Sequence, residues 1–357
     1  MSNRFKTNRT PFVIAGPCSV ENQQQLRQVA TELTRNGRVD LIRCGVWKPR
    51  SRPGGFEGLG EPALGWMAQL KRECPELRFC CEVAMPEHVE LCLQYGIDTV
   101  WIGARTTANP FLVGELCNAM QGTGMAVMVK NPPSPDMKLW TGAIERLAKA
   151  GIDEVAAIHR GFALYNNAPY RNTPLWEIPM DLKRTLPDLP IFCDPSHMAG
   201  RADLVAPLAQ MAADLQCDGL MIEVHPNPSE ALTDAQQQLT PAQLADLLNN
   251  LKPSSGTAKD TVLQLCRERL DTIDRNLIDL LAQRFNVVKQ IAQVKIENNI
   301  SIYQPTRWEQ VLQRQMEQGA RQGLNPEFVK EIYDKIHTES VNTQLEIKNS
   351  QPHKADE

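Results

Sequence analysis

The sequence predicts a (β/α)8 TIM barrel followed by a small all-α domain of three helices. Three observations carry that expectation. Eight short apolar runs, at 12–15, 39–44, 78–84, 99–103, 126–129, 154–158, 190–193 and 219–224, alternate with stretches of helical character. Chemistry-bearing residues gather where those runs end: Cys18, Arg43, Lys48, Arg105, Lys130, Arg160, His197 and Glu223. Beyond Lys252-Pro253-Ser254-Ser255-Gly256-Thr257 the apolar pattern changes to spacings of three and four.

A buried parallel strand is covered on both faces, so it reads as a continuous apolar run, and each parallel connection needs a crossover helix. The first run ends in Ile14-Ala15-Gly16-Pro17-Cys18-Ser19, which breaks at Gly-Pro and presents a thiol; a helix is expected over 23–34. The second leads to Lys48-Pro49-Arg50-Ser51-Arg52-Pro53, where proline stiffens a turn rich in phosphate donors. Helices are expected over 87–95, 110–120, 142–150 and 204–215, between later runs. Eight runs point to a closed barrel, with a doubly wound open sheet as the alternative. A barrel places its catalytic groups at the C-terminal ends of its strands.

A formal net charge of -4 gives no general basic field, so no nucleic-acid partner is expected. Anionic ligands must then meet local clusters of Arg and Lys. The 10 cysteines are scattered, without the spacing of a secreted disulfide scaffold, which points to reduced thiols and a cytoplasmic location. The apolar stretch after Arg4, Lys6 and Arg9 is too short for a signal sequence or a membrane span, and no membrane association is expected. The chain opens almost at its first strand, so no N-terminal regulatory domain is expected. The domains are read as 1–251 for the barrel, 252–259 as linker, 260–348 for the helices and 349–357 as a disordered tail.

Cys18, His197, Glu223 and Asp234 offer one soft and three harder ligands. Brought together, they suit a divalent metal cation with an open coordination position, with Mn, Fe, Co and Zn all fitting. Each residue also has a plainer reading: Cys18 as a buried apolar thiol, the Lys48 turn as a solvated basic loop. His225, two residues past Glu223, is expected to turn to the opposite face and stay out of the ligand set. Several cations at one barrel mouth need anions, because buried charge without a partner is costly.

With these motifs in view, residues 11–251 resemble the 3-deoxy-D-arabino-heptulosonate 7-phosphate (DAHP) synthases of the type I beta branch. The stretches that carry the resemblance are IAGPCS at Ile14, KPRSRP at Lys48, IGAR at Ile102, HRG at His159, DPSH at Asp194 and IEVHP at Ile222. The resemblance implies condensation of phosphoenolpyruvate with erythrose 4-phosphate at a metal held by Cys18, His197, Glu223 and Asp234. It implies a phosphoenolpyruvate site of Arg43, Lys48, Arg105, Lys130 and Arg160. Erythrose 4-phosphate would meet Arg50 and Ser51, with Lys48 between the two substrates. Lys48 is then the candidate proton donor to the new hydroxyl, with a pKa expected to be lowered by neighbouring cations. Ser51 stands where the family usually has Thr, which preserves the hydroxyl. His159 stands where relatives often carry an acid.

Past the linker, Leu270, Ile273, Leu277, Leu281, Val288 and Ile291 mark one long amphipathic helix from residue 260 to about 297. Pro305 opens a second, expected to stop near Gly319, and a third runs from Pro326 to about Ile347. Three helices of this length cannot bury their apolar faces alone, so a homodimer through this domain is expected. Arg284 falls mid-stripe, with Lys295 nearly above it, and Ser340 and Gln344 share one face of the third helix. Polar groups in two apolar faces point to a shared polar pocket.

This segment resembles the all-helical chorismate mutases, through CRERLDTIDRNLIDLLAQR from Cys266, VK at Val294, PTRW at Pro305 and SVNTQ from Ser340. The resemblance implies chorismate as substrate, with Arg267, Arg284, Lys295, Arg307, Ser340 and Gln344 binding it. Arg267, off the Arg284–Lys295 face, would enter the neighbouring subunit's site. Lys295 and Gln344 suit the ether oxygen, where charge grows as the bond breaks. Trp308 departs from a common Glu, and Gln304 from an acid seen in some members. The whole reads as a bifunctional shikimate-pathway enzyme, its synthase slowed when prephenate or chorismate binds the helices. Two alternatives stand beside it. In one the helices serve only binding and dimerisation; in the other the barrel makes a related 3-deoxy keto-sugar acid phosphate, which KPRSRP argues against.

Overall fold

The computed structural model describes residues 4–5, 11–35, 37–48, 54–165, 169–252 and 261–350. The chain divides into two compact units, Met1–Ser255 and Gly256–Glu357. The expected linker, apart from Lys252, lies outside the described residues, as does the tail past residue 350.

In the first unit eight parallel strands pair in chain order and close into a ring, β8 against β1. They are β1 (Phe12–Gly16), β2 (Leu41–Cys44), β3 (Phe79–Val83), β4 (Thr99–Ile102), β5 (Ala126–Lys130), β6 (Val155–His159), β7 (Ile191–Cys193) and β8 (Gly219–Glu223). Each expected run holds one strand, and the closed ring excludes the open sheet. The helices are α1 (Gln23–Arg35), α2 (Glu61–Glu73), α3 (Pro86–Gln94), α4 (Ala104–Thr107), α5 (Pro110–Met120), α6 (Met137–Lys149), α7 (Glu177–Thr185), α8 (Pro195–Ala199), α9 (Val205–Asp214) and α10 (Pro241–Asn250).

The sequence reading missed α2, α7 and α10, each opened or interrupted by residues that read as breakers. Pro62 and Gly65 sit in α2 and Pro179 in α7. Thr240 starts α10 through a reciprocal cap with Gln243, just before Pro241. Helix α6 starts five residues before the expected Gly142, because Asp136 caps it by accepting from the Leu139 amide at 3.0 Å.

Alternation along each strand sorts the side chains. Phe12, Ile14, Leu41, Cys80, Trp101, Ala126, Met128, Ala156, Ile158, Phe192 and Met221 form one cluster with Phe5 inside the ring. Their neighbours, such as Val13, Ile42, Val100, Val127 and Ala157, face the helices. Phe12 and Phe192 stack at 5.3 Å, and Phe5 meets both edge-on at 6.3 and 5.8 Å. Each buried side chain of this kind contributes about 1.5–3 kcal/mol.

The last turn of β1 shows why glycine is needed there. Gly16 has φ 153°, and a Cβ would stand 2.2 Å from the Arg43 carbonyl oxygen. Gly16→Ala is expected to lower stability by roughly 3 kcal/mol, since backbone on β2 cannot give way. Urea denaturation checks this; an unchanged midpoint would count against the close approach.

The second unit holds α11 (Thr261–Glu297), α12 (Pro305–Arg321) and α13 (Pro326–Ser350). Gly319 does not stop α12. It is buried, and a Cβ there would meet Val329 Cγ2 at 2.6 Å, so this glycine serves close packing against α13. The chain turns instead at Gly323, with φ 81°. Val288, Ala292 and Val329 are buried, while Leu270, Ile273, Leu277, Leu280, Ile291 and Val294 of α11 stay exposed. Among the described residues, no helix is long and apolar enough to cross a membrane.

Candidate active site

The inward positions continue past the apolar layer to the mouth of the ring. By the same alternation they are Gly16, Arg43, Glu82, Gly103, Lys130, Arg160, Asp194 and Glu223. Cys18 follows Gly16 by two residues. Ligand atoms of Cys18, Glu223 and Asp234 lie within 4.8 Å of one another. The Cys18 thiol is 3.4 Å from Asp234 Oδ2. His197, the fourth expected ligand, lies beside this group and not within it, its Nε2 3.7 Å from Glu223 Oε1. Its other nitrogen, Nδ1, is 2.8 Å from Asp194 Oδ2, so Asp194 orients the ring and leaves Nε2 toward the cluster.

The donor set fits a divalent cation. Burial and Glu223 push the Cys18 thiol up to about 12, with Lys48 opposing them. A thiol, an imidazole and two carboxylates are thus packed where the thiol does not ionise without added positive charge, which a metal would supply.

The surrounding cations are neutralised only in part. Arg43 Nη2 pairs with Glu223 Oε1 at 3.0 Å, and Gln237 donates to Glu223 Oε2 at 2.6 Å. Burial opposes ionisation of Glu223, but His197, Arg43 and Lys48 outweigh it and hold the carboxyl far below its usual range. Arg43 is fully buried, yet its Nε and Nη1 have no acceptor among the described residues. Lys130 donates to Asp194 Oδ2 at 2.8 Å; burial nevertheless lowers its pKa. Trp101 lies under both cations, 5.2 Å from the Arg43 guanidinium and 5.7 Å from Lys130 Nζ.

A cavity of about 470 Å³ opens here, lined among others by Lys48, Arg105, Lys130, Arg160 and Arg171, with Glu82, His197 and Asp234. Five bases against two carboxylates suit a small, multiply anionic ligand. Arg160 is held by Asn172, whose Oδ1 accepts from Nη1 at 2.9 Å and whose amide donates to the His197 carbonyl at 2.6 Å. Burial lowers the Arg160 pKa to about 10. Arg171 reaches Asp234 Oδ1 at 3.1 Å and Gln237 Oε1 at 2.7 Å.

The structure therefore gathers Cys18, Arg43, Lys48, Arg105, Lys130, Arg160, His197, Glu223 and Asp234 around one mouth. Arg50 and Ser51 lie outside the described residues. Asp194, Glu82, Arg171, Asn172, Gln237 and Trp101 were missed. Strand parity would have found Asp194 and Glu82, because each follows an inward residue by two. The others come from loops or from an apolar layer with no charge signal.

Two expectations need correction. The Lys48 pKa is raised, not lowered: burial works against the ammonium, but Cys18 and Glu223 outweigh it. Lys48 Nζ donates to both the thiol and the carbonyl of Cys18, each at 3.0 Å. His225 is indeed absent from the ligand cluster, but not through alternation. A two-residue step keeps the same face; β8 ends at Glu223, and the loop carries His225 to within 3.6 Å of Glu21. His159 faces outward between Trp140 and Trp176, its ring centroid 6.2 and 5.3 Å from theirs, and burial lowers its pKa to about 3. It takes no part in acid-base chemistry at the mouth.

The residue before Lys48 is clamped. Trp47 stacks on His88 at 3.8 Å, 2° from parallel, and His88 Nδ1 accepts from the Ala84 amide at 3.3 Å. Burial lowers the His88 pKa below 6.5. The unfolded chain then binds the proton first, so this contribution to stability is full above pH 6.5 and lost as pH falls toward the folded value. Wild-type stability is expected to drop more steeply than that of His88→Phe between pH 7 and 5, measured by urea denaturation. Equal slopes would remove His88 from the clamp.

In the helical unit, Arg284 Nη1 donates to Ser340 Oγ at 2.7 Å, and Gln344 is buried one turn beyond Ser340. Lys295 Nζ donates to the Ile302 carbonyl at 2.6 Å, and burial lowers its pKa. Gln344 donates to the Ser340 carbonyl at 3.0 Å, and its Oε1 has no partner among the described residues. Arg267 and Arg307 are exposed. Of the six expected residues, Arg284, Ser340 and Gln344 are thus joined by hydrogen bonds, Arg284 of α11 to Ser340 of α13 and Gln344 to Ser340 within α13, while Lys295 is tied to the Ile302 carbonyl.

Comparison with known proteins divides the chain at the same place. The profile described as the DAHP synthetase I family matches residues 5–258, and that described as chorismate mutase type II matches residues 266–345. A phospho-2-dehydro-3-deoxyheptonate aldolase of Thermotoga maritima is 30% identical over 240 residues, covering 67% of this chain and 68% of its own. A crystal structure of such an aldolase (DAHP synthase) from Thermotoga maritima aligns with a TM-score of 0.60 at 30% identity, over 67% of this chain and 68% of that one. A bifunctional chorismate mutase/prephenate dehydratase of Buchnera aphidicola is 36% identical over 85 residues, 24% of this chain and 22% of its own.

Proposed function

We propose, from the premise that this chain belongs to the DAHP synthetase I family and carries a chorismate mutase type II domain, how its two sites work. The chain is a bifunctional shikimate-pathway enzyme, a DAHP synthase in the barrel and a chorismate mutase in the helices.

In our reading, the barrel joins phosphoenolpyruvate to erythrose 4-phosphate. Arg43, Lys130, Arg105 and Arg160 hold the carboxylate and phosphate of phosphoenolpyruvate, Arg43 carrying buried Nε and Nη1 that meet no acceptor among the described residues. Cys18, His197, Glu223 and Asp234 would hold a divalent cation, which would supply Lewis acidity toward the aldehyde oxygen. Carbon 3 of phosphoenolpyruvate attacks the aldehyde carbon, water adds at carbon 2, and phosphate leaves with C–O cleavage. Lys48, its pKa raised despite burial with Glu223 nearby, gives its Nζ proton to the new alkoxide oxygen, which becomes the hydroxyl. Arg50 and Ser51 are assigned to the erythrose 4-phosphate phosphate.

The helical unit rearranges chorismate to prephenate without nucleophile or cofactor. Its cations hold two carboxylates and stabilise the ether oxygen while the bound conformer is kept compact. The exposed apolar face of α11 supports a homodimer through this unit. We further propose that prephenate or chorismate bound there slows the synthase, and that the protein is cytoplasmic, the described cysteines being free thiols.

One observation carries the synthase reading most: Cys18, Glu223 and Asp234, far apart in sequence, meet beside a cavity lined with bases. The test is product formation from phosphoenolpyruvate and erythrose 4-phosphate, before and after chelation, with prephenate added and with arabinose 5-phosphate as the competing aldehyde. Activity indifferent to chelation removes the metal from the mechanism. Equal inhibition by prephenate after deletion of residues beyond 251 removes the helices from feedback.

A further inference from the structure

One ring pair in the helical unit has no place in the chemistry above. His337 of α13 lies flat against Trp308 of α12, centroids 3.9 Å apart and planes 10° from parallel. Tyr303 approaches the same imidazole at 6.1 Å. His337 precedes Ser340 by three residues and Gln344 by seven, so all three share a helix face. Its Nε2 is buried and has no hydrogen-bond partner among the described residues; Gln344 Oε1 is in the same condition.

The charges around the ring favour its neutral form. Burial, then Arg284 and Lys295 of α11, lower the His337 pKa, while Asp334 on its own helix pulls the other way. With the proton on Nδ1, Nε2 is an acceptor set among cations that have only donors. A buried polar atom left unpaired costs about 1–3 kcal/mol, and a ligand that completes it recovers that cost.

Chorismate carries two carboxylates, an ether oxygen and one ring hydroxyl. The cations account for the first three, and none of them can accept a proton from the fourth. We propose that His337, its plane fixed by Trp308, recognises the ring hydroxyl of the mutase ligand. This rests on the mutase reading of the helical unit. The hydroxyl donates to Nε2, and Trp308 acts as a positioning residue.

The test compares chorismate turnover by full-length wild type, His337→Leu, His337→Asn and Trp308→Leu. His337→Leu is expected to raise KM about tenfold with kcat within about threefold, and His337→Asn, whose amide oxygen accepts, to recover most of the loss. Trp308→Leu is expected to raise KM by a smaller factor. A chorismate analogue with hydrogen in place of the hydroxyl, used as a competitive inhibitor, should bind wild type and His337→Leu equally well. Circular dichroism checks that the helices persist. An unchanged KM in His337→Leu, or equal weakening of chorismate and analogue, overturns the proposal alone. Absence of turnover by wild type overturns the mutase reading and this proposal together.

Discussion

Cys18→Ala is expected to lower kcat/KM for DAHP formation by about 10³-fold or more in the full-length protein. A Lewis-acidic ion is worth several kcal/mol of transition-state stabilisation, and ~4 kcal/mol is about three orders of magnitude. The thiol is fully buried, with Lys48 Nζ 3.0 Å away and Asp234 Oδ2 3.4 Å away, so nothing nearby replaces the lost ligand. The substitution removes one sulfur, which makes wholesale unfolding an unsuitable explanation. Chorismate turnover by the same preparation provides an internal control, because that reaction needs no metal. Metal content after dialysis, read by atomic emission, should fall in parallel. A variant that keeps its activity within tenfold, with full metal content, would falsify the ligand assignment.

Arg284→Ala is expected to lower kcat/KM for chorismate by about 10²–10³-fold, the usual cost of removing a preorganised charged donor. Arg284 sits mid-stripe on α11, tied to Ser340 Oγ at 2.7 Å, and Ser340 in turn donates to the Ile336 carbonyl at 2.6 Å. The anchor on α13 therefore survives the substitution, while the guanidinium is lost. Arg284→Lys keeps the charge but not the planar fork, so an intermediate rate is expected. DAHP formation without added inhibitor should be unchanged. Chorismate turnover within threefold of wild type would move the carboxylate site elsewhere.

Both variants were reachable from sequence, and the reason is the same in each: periodicity fixes direction. Cys18 and Glu223 stand where β1 and β8 end, and a ring of parallel strands must bring those ends together. Arg284 and Lys295 share a face because eleven residues make just over three turns. Asp194 orients His197 through Nδ1, a role that the Asp194-Pro195-Ser196-His197 motif does not by itself announce. Arg171 and Gln237 come from loops, where no period links sequence to direction. The Lys48 pKa was misjudged for another reason. Its sign depends on which neighbours lie nearest, and those proved to be the thiol and Glu223 instead of arginines. Gly319 read as a terminator, but a helix can also use glycine to admit a neighbour's side chain.

The three phenylalanines inside the ring, Phe5, Phe12 and Phe192, stopper the end opposite the catalytic mouth. Traffic is then confined to one doorway. In the proposed arrangement, with phosphoenolpyruvate held by Arg105, Lys130 and Arg160 of the cavity lining and erythrose 4-phosphate toward Lys48, the first reactant has to enter before the second occupies the doorway. The architecture imposes a queue on its ligands, and steady-state patterns with one substrate strictly leading are its kinetic signature.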